Sequence, residues 1–170
     1  MVQVWVYGFE PFKHYRRNIT AELLADFPAL PGVQIDVLPV CFDKSLFLAP
    51  VRQLQPRCVL GLGQCPRGEL LRIERRAFNQ MRDKSTGLDA LIDPVGPATL
   101  HTAWRLQPGS RCRDSYDAGR YVCNFSMYVL GQQSAQQGFA SAFLHLPRQF
   151  NLSQARREVL RQLEKVLKHV

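Results

Sequence analysis

Val2-Gln3-Val4-Trp5-Val6-Tyr7-Gly8 is apolar at nearly every position and stops at a glycine. A strand with one face in water alternates apolar and polar residues, so this run reads as a strand covered on both faces. Asn18 precedes Ile19–Phe27, a short helix that it can cap, although its amide can equally face a ligand. Val33–Val40 alternates with period two, and its late Pro39 marks an edge or a strand end. Asp43 or Ser45 can open a helix running to Leu54, closed by Pro56, before the buried strand Cys58-Val59-Leu60-Gly61-Leu62-Gly63. Strand, helix, strand, helix, strand predicts an α/β fold with a mostly parallel centre. A chain of 170 residues suits one domain, taken as 1–170.

Further along, Leu70–Asn79 alternates, with Leu71, Ile73 and Ala77 on one face and Arg72, Glu74 and Arg76 on the other. Residues 80–97 read as a loop or irregular hairpin, and Ala98–Leu106 as either a short helix or an extended crossover. Pro108-Gly109-Ser110 is a turn, and Phe139–Leu144 is a strand ending at His145. Asn151 opens a last amphipathic helix, with Gln154 placed for a capping box. Its buried face is Leu152, Ala155, Val159, Leu163, Val166, Leu167 and Val170.

Composition narrows the classes of function. The five cysteines are an odd set with no Cys-x-x-Cys pair, which argues against a disulfide framework and a zinc knuckle. No apolar run is long enough to span a bilayer, and the chain opens directly on strand-like residues without a secretory pattern. A reducing, cytoplasmic setting is the expectation. The net charge of +8 comes from scattered arginines, with no basic tract interleaved with exposed aromatics. A solvated basic surface is therefore expected, and no nucleic-acid or membrane partner. Gly61-Leu62-Gly63-Gln64 resembles the start of a phosphate loop only weakly, since no third glycine and no Lys-Ser/Thr pair follow.

The chemistry centres on Asp117-Ala118-Gly119-Arg120-Tyr121-Val122-Cys123-Asn124-Phe125. A small-residue turn leads into a largely buried helix, with Cys123 in or near its first turn, where free N–H groups and the helix dipole favour a thiolate. Cys123 is either a nucleophile with His145 as its base or a buried inert thiol. Phe9 and Phe12, in the loop after the first strand, either line a small apolar pocket or plug the core. Glu74, flanked by two arginines, suits a carboxylate that orients a histidine, or else belongs to a salt-bridged strand surface.

These segments resemble, in order, the pyroglutamyl peptidases, cysteine enzymes that remove N-terminal pyroglutamate. Gly8-Phe9-Glu10-Pro11-Phe12 with Asn18 looks like the opening signature, and Val37–Val40 with Phe42 and Lys44 like the second strand. Gly63-Gln64, Glu74-Arg75 and Asn79 keep the family spacing. Ala118-Gly119, Tyr121, Cys123-Asn124 and Met127-Tyr128 look like the nucleophile segment, and Phe143-Leu144-His145-Leu146-Pro147 like the histidine segment. The resemblance implies a three-layer α/β/α sandwich of the phosphorylase/hydrolase-like kind, with a twisted, mostly parallel mixed sheet. It implies Cys123 as nucleophile, His145 as base and later acid, and Glu74 as the residue orienting His145. Phe9 and Phe12 match the residues that sandwich the lactam ring, and Asn18, Val40, Gln64, Tyr121 and Val122 match further substrate-binding positions. The implied ligand is a pyroglutamyl peptide or small amide; no metal or other cofactor is implied, and a homo-oligomer is compatible.

Two departures stand out. Lys84 takes the place of an arginine near the reacting carbonyl and is followed by Ser85; lysine keeps the charge but loses the planar fork. A helix and strand expected between Pro108 and Ser115 look largely missing, as does a loop after Pro147. The alternatives are a relative acting on a different lactam or amide, and a non-catalytic binding protein that kept the fold.

Overall fold

The structure, a computed structural model, describes residues 1–12, 15–83 and 86–168. The sheet at its centre has six strands, and its order runs from the second strand of the chain to the ninth. β1 (Val4–Phe9) lies between β2 (Val33–Leu38) and β3 (Cys58–Cys65), parallel to both. β10 (Ala140–Pro147) is parallel to β3 and antiparallel to β4 (Leu71–Glu74), and β9 (Cys112–Ser115) runs parallel to β4 at the far edge. The sheet is mixed and mostly parallel. All six residues of β1 are buried, as a strand without polar alternation requires.

Among the described residues, four helices cover the two faces. α1 (Ile19–Ala25) and α4 (Leu152–Leu167) pack through Leu23, Leu24, Ala155, Val159 and Leu163 on Val4, Val6, Leu60, Leu62, Ile73, Leu144 and Leu146. α2 (Ser45–Leu54) and α3 (Val122–Gln137) pack through Phe47, Val51, Phe125 and Tyr128 on Trp5, Tyr7 and Phe143. This is the three-layer α/β/α arrangement. Consecutive residues of a strand point to opposite faces, so each central strand contributes alternate side chains to two different cores.

Several expectations change. β1 continues through Phe9, because Gly8 and Phe9 still pair with Val37 and Leu38 of β2. The run 70–79 is not one strand: it breaks at Arg75, and β5 (Arg76–Phe78) pairs instead with β8 (Thr99–His101) in a separate two-stranded ladder. Residues 98–106 are thus partly extended. The hairpin reading of 80–97 holds in β6 (Met81–Arg82) and β7 (Asp89–Ala90). The strand thought missing before Ser115 is present as β9, whereas 108–111 carries a turn and no helix. Asn151 caps α4 by accepting the Gln154 N–H, but the Gln154 side chain makes no return bond through its buried Oε1, so the capping box is half formed. Lys84, Ser85 and Val170 lie outside the described residues.

Candidate active site

The site is built on one row of the sheet. His145 of β10 stands between Gly63 of β3 and Arg72 of β4, each its direct register partner. Gly63 carries no side chain, and the sulfur of Cys123 occupies the place above it. A Cβ on Gly63 would lie 2.7 Å from Cys123 Sγ and 2.8 Å from the Phe143 ring. A glycine inside a strand marks close approach of another group, and here that group is a thiol, not a phosphate. Gly61, one row earlier on the same face, leaves room for Tyr7 and Phe143, since a Cβ there would lie 2.5 Å from Tyr7 Oη.

Cys123 is the second residue of α3, and Tyr121 precedes the helix with extended backbone and no side-chain cap bond. The first-turn N–H groups near the thiol are therefore not consumed by a cap. Ser126 Oγ, one turn on, donates to the Cys123 carbonyl at 2.9 Å and accepts from Tyr7 Oη at 2.9 Å, which pins α3 to β1. Burial, only partly offset by the Ser126 bond, raises the Tyr7 phenol far above its ordinary value, so this bond persists at any working pH. Asn124, fully buried, accepts the Phe78 N–H at 2.8 Å and donates to the carbonyls of Phe78 and Gln80. These bonds fix the start of α3 to β5.

His145 Nδ1 lies 2.7 Å from Glu74 Oε1, with both side chains buried. The Cys123 sulfur lies close enough to the imidazole to act on its charge. Burial alone would lower the His145 pKa, but the Cys123 sulfur and the Glu74 carboxylate together outweigh it and push it up to about 9. The arginines flanking Glu74 turn away from it. Arg72 Nη2 donates to the Arg67 carbonyl at 2.8 Å, and Arg76 Nε donates to the Tyr116 carbonyl at 3.1 Å. Glu74 is a fully buried partner of His145 rather than part of a salt-bridged surface. Thiol, imidazole and carboxylate thus form one connected line, with Cys123 partly exposed at its end.

The other candidate residues are distributed around this line. Phe9 is in the core, edge-on to Tyr7 at 5.7 Å between ring centroids, and against Phe47; Phe12 packs on Tyr15. Val40 is half-buried against the same core, Val122 is buried, and Tyr121 is half exposed. Asn18 caps α1 by accepting from Thr20 N at 3.0 Å and donates to the Glu10 carbonyl at 3.1 Å, so its amide holds the loop after β1. Gln64 points to the opposite face and accepts the Ile19 N–H through its side chain. There it borders a cleft of about 510 Å³ with Tyr15, Arg16 and Arg148.

Sequence reading named Gly63 for its spacing but not as a seat for sulfur, and did not single out Tyr7 or Ser126; the signals were a glycine at alternate strand positions and a serine one turn after the cysteine. Of the remaining cysteines, Cys41 is exposed. Burial raises Cys58, and pushes Cys65 and Cys112 up to about 11. Among the described residues no group of histidine, cysteine and carboxylate side chains is arranged to hold a metal, and no helix is long and apolar enough to cross a membrane.

A thiol beside an imidazole, itself bound to a carboxylate, on an open α/β sheet is an arrangement suited to nucleophilic acyl transfer. A family model described as pyroglutamyl peptidase matches residues 2–154, and the chain belongs to this family. It is similar to the pyrrolidone-carboxylate peptidase of Saccharolobus islandicus, 28% identical over 168 residues covering 85% of this chain and 78% of that one. The pyrrolidone-carboxylate peptidase of Pyrococcus furiosus is 28% identical over 171 residues, 86% of this chain and 81% of the relative. A solved structure of a mutant pyrrolidone carboxyl peptidase from Pyrococcus furiosus shares the fold with a TM-score of 0.85 at 23% identity. It covers 99% of this chain and 100% of that one.

Proposed function

We propose that the chain is a cysteine-type pyroglutamyl peptidase, hydrolysing the amide bond after an N-terminal pyroglutamate through Cys123, His145 and Glu74. The observation that carries the reading is the line itself: Cys123 sulfur seated on bare Gly63, the register partner of His145, with His145 2.7 Å from a buried Glu74. The sulfur attacks the pyroglutamyl carbonyl, and the first-turn N–H groups of α3 stabilise the oxyanion. His145, holding a proton up to about pH 9, delivers it to the leaving amine as the carbon–nitrogen bond breaks. The same imidazole then takes a proton from water, whose oxygen attacks the thioester and releases pyroglutamate and free thiol. Glu74 holds the ring and its charge throughout.

In this reading Phe9, Phe12, Val40, Tyr121 and Val122 bound the lactam, and the backbone at Gln64 contacts it, while Asn18 holds the loop. An uncharged lactam avoids the cost of burying a terminal ammonium in an apolar pocket. Lys84 is the charged residue assigned to the reacting carbonyl. Residues 1–170 act as one catalytic domain, since β1 and β10, from opposite ends of the chain, both flank β3. Five free cysteines without a disulfide fit a reducing compartment, which the cytoplasm supplies.

The test is release of a fluorescent amine from a pyroglutamyl amide. The parent enzyme should release it, and Cys123→Ala should lower turnover by roughly a thousand-fold or more while remaining folded. Undiminished release by Cys123→Ala would overturn the assignment.

A further inference from the structure

The order of the strands gives the site a direction. Phe9 ends β1 and Val40 follows β2, so these two of the residues assigned to the lactam lie on the β2–β1 side of the thiol. On the other side of the thiol come His145 on β10 and then Arg72 on β4. The amine that leaves is the one protonated by His145, so the residue after pyroglutamate must extend towards β4. Neighbouring strands are about 4.8 Å apart. A long side chain one strand beyond His145 therefore reaches the first leaving residue.

Arg72 is that side chain. It is the register partner of His145, on the same face as Glu74, with its alternate neighbours Leu71 and Ile73 in the opposite core. Its Nη2 donates to the Arg67 carbonyl at 2.8 Å, and a Cβ on Gly68 would lie 3.5 Å from that nitrogen and 3.4 Å from Pro147. The guanidinium is thereby held at the carboxyl end of β10, where ligands meet open α/β sheets. Its Nε is buried and has no hydrogen-bond partner. Among the described residues no carboxylate pairs with Arg72, nor with Arg67 or Arg148 beside it. Glu69, on the same loop, is exposed and pairs with none of them. A buried donor without a partner is costly, and a guanidinium is shaped to bind a carboxylate through two parallel bonds.

We propose that Arg72 forms a carboxylate-binding subsite for the residue after pyroglutamate, so that the preferred substrates carry a carboxylate there. This rests on the peptidase reading above. The carboxylate has two sources, the free terminus of a pyroglutamyl dipeptide or an acidic side chain in a longer peptide. The subsite acts on the leaving side and is independent of the lactam pocket.

The test compares substrates in matched pairs, so that each enzyme is its own control. Pyroglutamyl-alanine against its C-terminal amide isolates the terminal carboxylate; pyroglutamyl-glutamate amide against pyroglutamyl-glutamine amide isolates the side chain. The parent should favour the charged member of at least one pair by roughly ten-fold or more in kcat/KM, and the pair identifies the source. Arg72→Gln should bring that ratio close to one, and Arg72→Lys should keep part of it. A merely structural role would lower both members together and leave the ratio intact, which would overturn the subsite. A parent ratio near one in both pairs would overturn it without any variant. Cleavage of the pairs without discrimination refutes the subsite alone; no cleavage of any pyroglutamyl substrate refutes the peptidase reading and the subsite with it.

Discussion

The two faces of the sheet are made by the same strands and have little else in common. One face is aliphatic: Leu60, Leu62, Ile73, Leu144 and Leu146 meet α1 and α4. The residues between them, Gly61, Gly63, Glu74, Phe143 and His145, face α2 and α3 with glycine, aromatic rings and the buried polar pair. Strand pairing fixes both sets at once. Apolar contact on one face holds the strands in the register that brings thiol, imidazole and carboxylate into line on the other. The face that stabilises and the face proposed to react are thus separable by single substitutions at adjacent positions.

Gly63→Ala is the sharpest break. Its methyl would overlap Cys123 Sγ and the Phe143 ring, both less than 3 Å away, and displace the thiol from His145. Turnover should fall by about 100-fold or more, the cost of a misplacement near 1 Å. Leu62→Ala, next door but facing α1 and α4, should act the other way. It should cost about 2–5 kcal/mol of stability in urea denaturation, with turnover per folded molecule largely kept. Equal losses of activity in the two variants would erase the distinction between the faces.

The buried pair gives the reactive face a pH signature. The His145 pKa is raised from 6.5 to about 9, so folding takes up a proton between these values. Its contribution to stability is full below about pH 6.5 and is lost as pH rises through about 9. Urea midpoints of the parent should fall across that interval, and those of His145→Gln should fall less. Glu74→Gln removes one of the groups that raise the imidazole, so the alkaline limb of kcat/KM should move to lower pH. An unmoved limb would mean that Glu74 does not act on His145. The smallest effect is expected at Asn18→Ala, which removes the α1 cap and should cost about 1 kcal/mol by thermal or urea denaturation.

Period-two alternation made this two-faced design legible in the sequence. It separated Leu71 and Ile73 from Arg72 and Glu74, and the unbroken apolar run of β1 predicted helices on both sides. Alternation assigns a face but not what covers it. Two arginines on its face left Glu74 either orienting a histidine or in a salt-bridged surface, yet Arg72 and Arg76 bind the Arg67 and Tyr116 carbonyls, leaving Glu74 to His145. Pairing partners are equally non-local: nothing near Arg75 says that the next residues join β8 instead of continuing along β10. Cys112–Ser115 has no apolar alternation at all, and becomes a strand through parallel pairing with β4. The glycines of β3 were visible, but their use as a seat for sulfur depends on a helix that begins well over fifty residues later in the chain.

The central claim is that Cys123 is the reactive thiol among five cysteines. The most direct measurement is limited alkylation with iodoacetamide, followed by peptide mapping and residual release of amine from a pyroglutamyl amide. Label should appear first on Cys123, with activity lost in proportion, while Cys58, Cys65 and Cys112 react slowly because burial raises their thiols. Complete labelling of Cys123 with activity intact, or inactivation that tracks another cysteine, would contradict the account.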